Sequence, residues 1–188
     1  MHKNKAFFLD RDGVIIKNVP YLKSLKDLEF LPGVDIAIKL VNNFGYKCIV
    51  ITNQSGIARG IISLDQIFSI HQYIKKSLEK TGATIDAFYL CPHYLGGKID
   101  TYTVDCDCRK PRPGMFLQAA KDHNLSLTNS IMVGDSHIDV EAGRNAGCQS
   151  LLLYNQIMIE GKKITFQSLE EAVTFMLLHS KESRGNKD

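Results

Sequence analysis

No stretch of this sequence stays apolar for the length a membrane span needs, and none gathers charge of one sign into a block. The net charge of +3 at pH 7 suits an anionic small molecule, but it is too mild to argue for nucleic acid or a membrane surface as partner. Only four apolar residues, 6–9, separate the basic start from Asp10, too few for the core of a signal peptide. The five cysteines are an odd number, which argues against a disulfide framework and for a reducing, cytoplasmic setting. There is no internal repeat and no linker that would divide the chain. The expectation is one domain over residues 1–180 with a polar, frayed tail at 181–188. With no long apolar helix face left over, the domain is expected to be a monomer.

What is present is an alternation of elements. With 188 residues and 44% hydrophobic content, the chain can bury a sizeable core. Short, nearly continuous apolar runs at 6–9, 47–51, 85–90, 130–133 and 149–154 read as buried strands. Helices are expected between and after them, at 34–44, 63–80, 114–123, 136–145 and 168–179. Ser63 with Gln66 three residues on has the form of a capping box, and Gly45 stands where a helix C-terminus calls for glycine. Residues 15–30 and 91–113 read as long loops. Strands and helices in alternation imply an α/β fold, a doubly wound and mainly parallel sheet with helices on both faces.

In such sheets, chemistry sits outside the carboxyl ends of the strands. The first strand ends in Asp10-Arg11-Asp12-Gly13, the second in Thr52-Asn53, and the fourth in Gly134-Asp135, with Asp139 one helical turn later. Arg109-Lys110 precedes the third helix. Buried carboxylates need a cation or a proton as partner. Asp10 and Asp135 offer the hard oxygen ligands that suit Mg²⁺. Lys110 and the metal would offset the repulsion between an anionic nucleophile and an anionic phosphate. Thr52 can hydrogen-bond a phosphoryl oxygen, and the helix after Asp135 presents its N-terminal amides. The set reads as a phosphoryl-transfer site.

These motifs, in this order, resemble those of the haloacid dehalogenase-like phosphohydrolases. The resemblance implies that Asp10 attacks phosphorus to give an aspartyl-phosphate. Asp12 then acts as acid and base, and Thr52 and Lys110 steady the phosphoryl group. It also implies Mg²⁺ held by the side chains of Asp10 and Asp135 and by the backbone carbonyl of Asp12. No insertion large enough for a cap domain separates the motifs. The loop 15–30, the loop 91–113 and the turn 57–60 are expected to wall the site, with Arg59 a candidate for a distal phosphate.

The loop 91–113 carries Cys91-Pro92-His93 and, after twelve intervening residues, Cys106-Asp107-Cys108. Three thiolates and one imidazole are a closed tetrahedral set for structural Zn²⁺. Metal binding there would order a polar loop and aim Lys110 at Asp10. Cys-Pro-His, Cys-x-Cys-Arg-Lys-Pro and Thr-Asn-Gln-Ser-Gly-Ile-Ala-Arg-Gly look like the D-glycero-D-manno-heptose 1,7-bisphosphate phosphatases. That resemblance implies a sugar bisphosphate substrate and removal of its C7 phosphate. It also implies substrate contacts from Thr52, Asn53, Gln54, Ser55, Arg109 and Lys110, with Asn18 and Tyr21 beside the sugar and Ser136 near the reacting phosphate. The chain departs from the resemblance at Val14, Asn18, Pro20 and Ser136, which leaves the preferred sugar and its anomer open. Two other readings stay open: a histidinol-phosphate phosphatase with a similar zinc loop, and a receiver-like phospho-acceptor module.

Overall fold

The computed structural model of the chain describes residues 3–159 and 162–182. The first strand, β1 (Ala6–Leu9), is followed by α1 (Val34–Asn43), β2 (Lys47–Asn53), α2 (Leu64–Glu79) and β3 (Ala87–Cys91). Next come α3 (Gly114–Asp122), β4 (Ile131–Gly134), α4 (His137–Asn145) and β5 (Gln149–Leu152). A short antiparallel pair, β6 (Gln156–Ile159) and β7 (Lys162–Thr165), precedes α5 (Leu169–Glu182).

The main sheet is parallel throughout, in the order β3-β2-β1-β4-β5. The central strands β1, β2 and β4 are buried on both faces along most of their length, the edge strands β3 and β5 less so. The period-2 alternation of side chains divides the core in two. Phe7 and Leu9 join Cys48 and Val50 on one face, under α1, α2 and α5. Ala6 and Phe8 join Ile49, Ile51 and Met132 on the other, under Met115, Phe116 and Ala119 of α3 and Ala142 of α4. Phe8 and Phe116 meet edge to face at 4.9 Å. The chain winds outward from β1 to β3, then returns to place β4 on the other side of β1. That reversal opens a crevice at the carboxyl ends of β1 and β4.

Four features differ from the sequence expectation. The second strand runs on to Asn53, because Thr52 and Asn53 find ladder partners in Leu90 and Cys91 of β3. The loop 15–30 is tied down rather than loose: Ile16 bridges both Asp12 and Phe30, and Leu25–Asp27 form a 3₁₀ turn. The β6–β7 pair was not expected at all. Finally, α5 continues to Glu182, so the expected tail is helical at 181 and 182, and 183–188 lie outside the described residues. The capping box at Ser63 forms as expected, with Gln66 N donating to Ser63 Oγ at 3.1 Å and Ser63 N to Gln66 Oε1 at 2.9 Å.

Candidate active site

β1 ends at Leu9, and Asp10 N donates to Val133 O at 3.1 Å, which fastens the first strand end to the fourth. The chain then turns tightly, with Gly13 N donating to Ile16 O at 2.7 Å. Gly13 has φ of +79°, a region that favours glycine, and any side chain there would overlap the Asp135 carboxylate. The glycine of Asp-Arg-Asp-Gly is therefore what lets the β4 end approach the β1 end. Gly134 has a similar role, since a methyl on it would run into the Asp139 side chain.

Lys110 sits at the centre, 4% exposed. Its Nζ donates to Asp10 Oδ1 at 2.8 Å and to Ile51 O at 2.8 Å, and pairs with Asp139 Oδ1 at 2.5 Å. Its backbone is clamped to β2 by a reciprocal pair: Lys110 N donates to Asn53 Oδ1 and Asn53 Nδ2 to Lys110 O, each at 3.1 Å. Asp139 also receives hydrogen bonds on Oδ2 from the N–H and hydroxyl of Ser136, which caps α4.

The electrostatics are unbalanced toward negative charge. Burial, with Asp139 and Asp12 adding to it and Lys110 opposing it, pushes Asp10 up to about 7. Burial and Asp139 push Asp135 up to about 6. Burial works against the charge of Lys110, but Asp10 and Asp139 more than offset it and hold its pKa above the ordinary lysine value. Asp10, Asp135 and Asp139 present oxygens within 4.8 Å of one another. Carboxylates crowded in this way, with one lysine between them, fit a divalent cation bound through oxygen.

The cavity they face has a volume of about 360 Å³. Of the residues expected at the site, Asp10, Asp12, Lys110 and Asp135 line it together with Arg109 and Ser136. Asn18 and Tyr21 form one wall, and Asn53, Gln54 and Ser55 another. Thr52 does not line it. It is 1% exposed, and its hydroxyl accepts from Gln54 Nε2 at 2.9 Å. The turn 57–60 does not wall it either: Ile57 and Gly60 line a separate groove with Ile99 and Tyr102. Arg59 lies over the Tyr94 ring at 4.0 Å and is not part of the cavity wall.

The four expected zinc ligands converge. Cys91 Sγ lies 3.6 Å from Cys106 Sγ and 3.9 Å from His93 Nδ1, and Cys108 Sγ lies 3.2 Å from both Cys106 Sγ and His93 Nδ1. A tetrahedral site with Zn–S of about 2.3 Å needs S–S edges of roughly 3.8 Å, so the donor set fits zinc in kind, with the sulfurs somewhat closer together than a bound ion would hold them. None of the five cysteines forms a disulfide. Hydrogen bonding from Cys108 pulls the Cys91 thiol down to about 5 against the effect of burial, and the same contact pushes Cys108 up. The loop is braced to the site by Arg109, whose Nη1 donates to His93 O at 3.1 Å.

Comparison with known proteins agrees with this geometry. A family model for HAD-hydrolase-like proteins matches residues 107–157. The D-glycero-beta-D-manno-heptose-1,7-bisphosphate 7-phosphatase of Rhodopseudomonas palustris is 44% identical over 145 residues, 77% of this chain and 81% of that protein. This chain belongs to the HAD-like heptose-1,7-bisphosphate phosphatase family. Another family member, the D-glycero-alpha-D-manno-heptose-1,7-bisphosphate 7-phosphatase of Photorhabdus laumondii, is 42% identical over 146 residues, 78% of this chain and 80% of that one. A crystal structure of the D,D-heptose 1,7-bisphosphate phosphatase from B. bronchiseptica, complexed with magnesium and phosphate, superimposes with a TM-score of 0.79 at 30% identity. That match covers 93% of this chain and 99% of the other.

Two residues of this family member stood among the strand-end residues of the sequence reading without a role of their own. Asp139 is 2% exposed and completes the pairing of Lys110. Its signal was there, one helical turn after Asp135. Arg11 is 1% exposed and is turned onto Asp12. The only hint in the sequence was a charged residue flanked by two carboxylates at the end of a buried strand.

Proposed function

We propose that the protein removes the C7 phosphate of D-glycero-D-manno-heptose 1,7-bisphosphate through an aspartyl-phosphate on Asp10. The observation that carries this reading is Asp10 at a cavity wall, ion-paired at 2.8 Å to a buried lysine, with Asp12 two residues on at the same wall. The cavity volume of about 360 Å³ suits a small sugar ester.

In this reading an Asp10 carboxylate oxygen attacks phosphorus and the P–O bond to the sugar breaks. Asp12 gives its proton to the departing oxygen. Asp12 then takes a proton from water as the water attacks phosphorus, which releases phosphate and restores the Asp10 carboxylate. Lys110 holds Asp10 in place and its charge steadies the phosphoryl group, while Thr52 accepts from Gln54, which in turn donates to Asp12. Asn53, Gln54, Ser55, Arg109 and Ser136 bound the substrate, with Asn18 and Tyr21 beside the sugar. Mg²⁺ held by Asp10, Asp135 and the Asp12 carbonyl would neutralise charge on the phosphoryl oxygens. Zn²⁺ on Cys91, His93, Cys106 and Cys108 would have a structural role. The reading includes one domain acting as a monomer in the cytoplasm, where the thiol ligands stay reduced. Among the described residues no helix is long and apolar enough to cross a membrane.

The test is phosphate release, with Mg²⁺ present, from both anomers of the heptose bisphosphate, from histidinol phosphate and from simple sugar phosphates. The expected result is the highest kcat/KM for one heptose bisphosphate anomer. Faster turnover of histidinol phosphate would overturn the substrate assignment. Asp10→Asn is expected to abolish turnover while leaving the fold and bound zinc intact, and wild-type activity in that variant would refute the nucleophile assignment.

A further inference from the structure

Asp12 is held from behind. The Arg11 guanidinium donates from Nη2 to Asp12 Oδ2 at 2.8 Å and to Oδ1 at 3.0 Å, and its Nε lies 3.2 Å from both oxygens. Gln54 Nε2 adds a second group, donating to Oδ2 at 2.9 Å. A guanidinium has five N–H donors and no acceptor, so once buried its remaining donors need acceptors. Nη1 meets His71 Nε2 at 3.3 Å. Since arginine only donates, Nε2 is the unprotonated ring nitrogen and accepts. His71 is 5% exposed within α2, and its ring stacks on Phe88 of β3, with centroids 4.5 Å apart. Burial, and then the Arg11 charge, push His71 down to about 3, so at neutral pH the ring is uncharged and stays an acceptor.

A row of contacts thus runs from Phe88 through His71 and Arg11 to Asp12. We propose that Arg11 and His71 are positioning residues for proton transfer to the leaving group, with His71 acting only through Arg11. The inference rests on the assignment of Asp12 as acid and base. An aspartate side chain at a turn can rotate about two bonds. Two guanidinium nitrogens reaching both of its oxygens restrict that rotation, provided that the guanidinium is itself fixed. The stacked, accepting His71 fixes it on the far side. Without that acceptor, Nη1 must seek another, and the forked contact with Asp12 shifts with it. A displacement on the order of 1 Å in a reacting group is enough to cost as much as 10²-fold in rate.

A purely structural role, in which His71 only satisfies a buried charge, would lower stability and leave the proton step alone. The two roles separate on leaving groups. An alkyl phosphate such as the sugar ester needs a proton on its departing oxygen, whereas p-nitrophenyl phosphate leaves without one. kcat/KM on both esters is to be measured for wild type, His71→Phe, His71→Gln, Arg11→Lys and Asp12→Asn, with thermal melts of each. His71→Phe keeps a ring to stack on Phe88 and removes the acceptor. It is expected to lose about tenfold on the alkyl ester and less than about twofold on the aryl ester. His71→Gln, whose amide oxygen can stand where Nε2 does, is expected to recover most of the loss. Arg11→Lys, which cannot reach both oxygens in a fork, is expected to show the same selective loss, and it serves as the test if His71→Phe does not fold. Equal losses on both esters, or none, would overturn the inference. Asp12→Asn separates it from the reading beneath it. A selective loss in Asp12→Asn without one in the His71 and Arg11 variants sinks the positioning role alone. No selective loss in Asp12→Asn sinks the acid and base assignment, and the positioning role with it.

Discussion

Lys110 uses all three of its N–H donors inside the protein, on Asp10, Asp139 and the Ile51 carbonyl. A buried ammonium is stable there only because two carboxylates surround it, and they in turn depend on it. Breaking such an arrangement from one side leaves charges without a partner, at a cost of roughly 3–5 kcal/mol. Lys110→Ala is therefore expected to lower stability by about that much, read from denaturant melts, and to lose phosphatase activity as well. Wild-type stability in this variant would mean that the carboxylates find another partner. Lysine before proline at the start of a helix was legible as a site residue from order and spacing. That Asp139 shares it was not, because the sequence cannot say which of two acids one turn apart faces the lysine. The contact depends on where α4 lies relative to β2 and the loop before α3.

At the scale of elements, the loop 91–113 depends on its four ligands more than on packing. It contributes few apolar side chains, and its ends are joined through Cys91, His93, Cys106 and Cys108. Cys106→Ser is expected to lose bound zinc and to reduce activity sharply, as Arg109 and Lys110 lose their frame. Metal content and turnover check it together, and full activity in a demonstrably zinc-free variant would refute the role. Asn53 offers a second restraint on Lys110 that the sequence did not reveal, since an asparagine at a strand end reads equally well as a substrate contact. The β6–β7 pair was missed for a different reason. The segment after Tyr154 has β-branched residues on either side of a Glu-Gly pair, a weaker cue than the Asn-Gly or Asp-Gly that marks a two-residue hairpin, and the expectation of strand and helix in strict alternation left no place for a hairpin.

Across the whole molecule, the site carboxylates couple folding to pH. An unfolded aspartate titrates at about 4. In the folded chain Asp10 is raised to about 7 and Asp135 to about 6. The folded form therefore keeps protons that the unfolded chain has released. The stability from these two groups is fully present below about pH 4 and is lost as pH rises through 6 to 7. Magnesium-free protein is expected to melt at a lower temperature at pH 7 than at pH 5. The difference should be smaller in Asp10→Asn, and Mg²⁺ should restore stability at pH 7 by binding the folded form. An equal pH dependence in wild type and variant would show that Asp10 does not carry the effect.

The sequence by itself determined the alternation of strands and helices, the two-sided burial of the central strands, and the residue types that gather at the carboxyl ends of the sheet. Apolar periodicity, glycine and capping positions act locally, so they can be read along the chain. The four zinc ligands were legible for the same reason: metal chemistry restricts their types, and the loop restricts their spacing. Only the tertiary structure decided the order of the strands and, with it, the crevice between β1 and β4 where Asp10 and Asp135 meet. It also decided that Asp139 rather than solvent completes the surroundings of Lys110, that Thr52 stands behind the cavity, and that His71, sixty residues from Arg11, holds the arginine that holds Asp12. These contacts join residues far apart in the chain. They follow from how helices pack on a sheet, which no local pattern specifies.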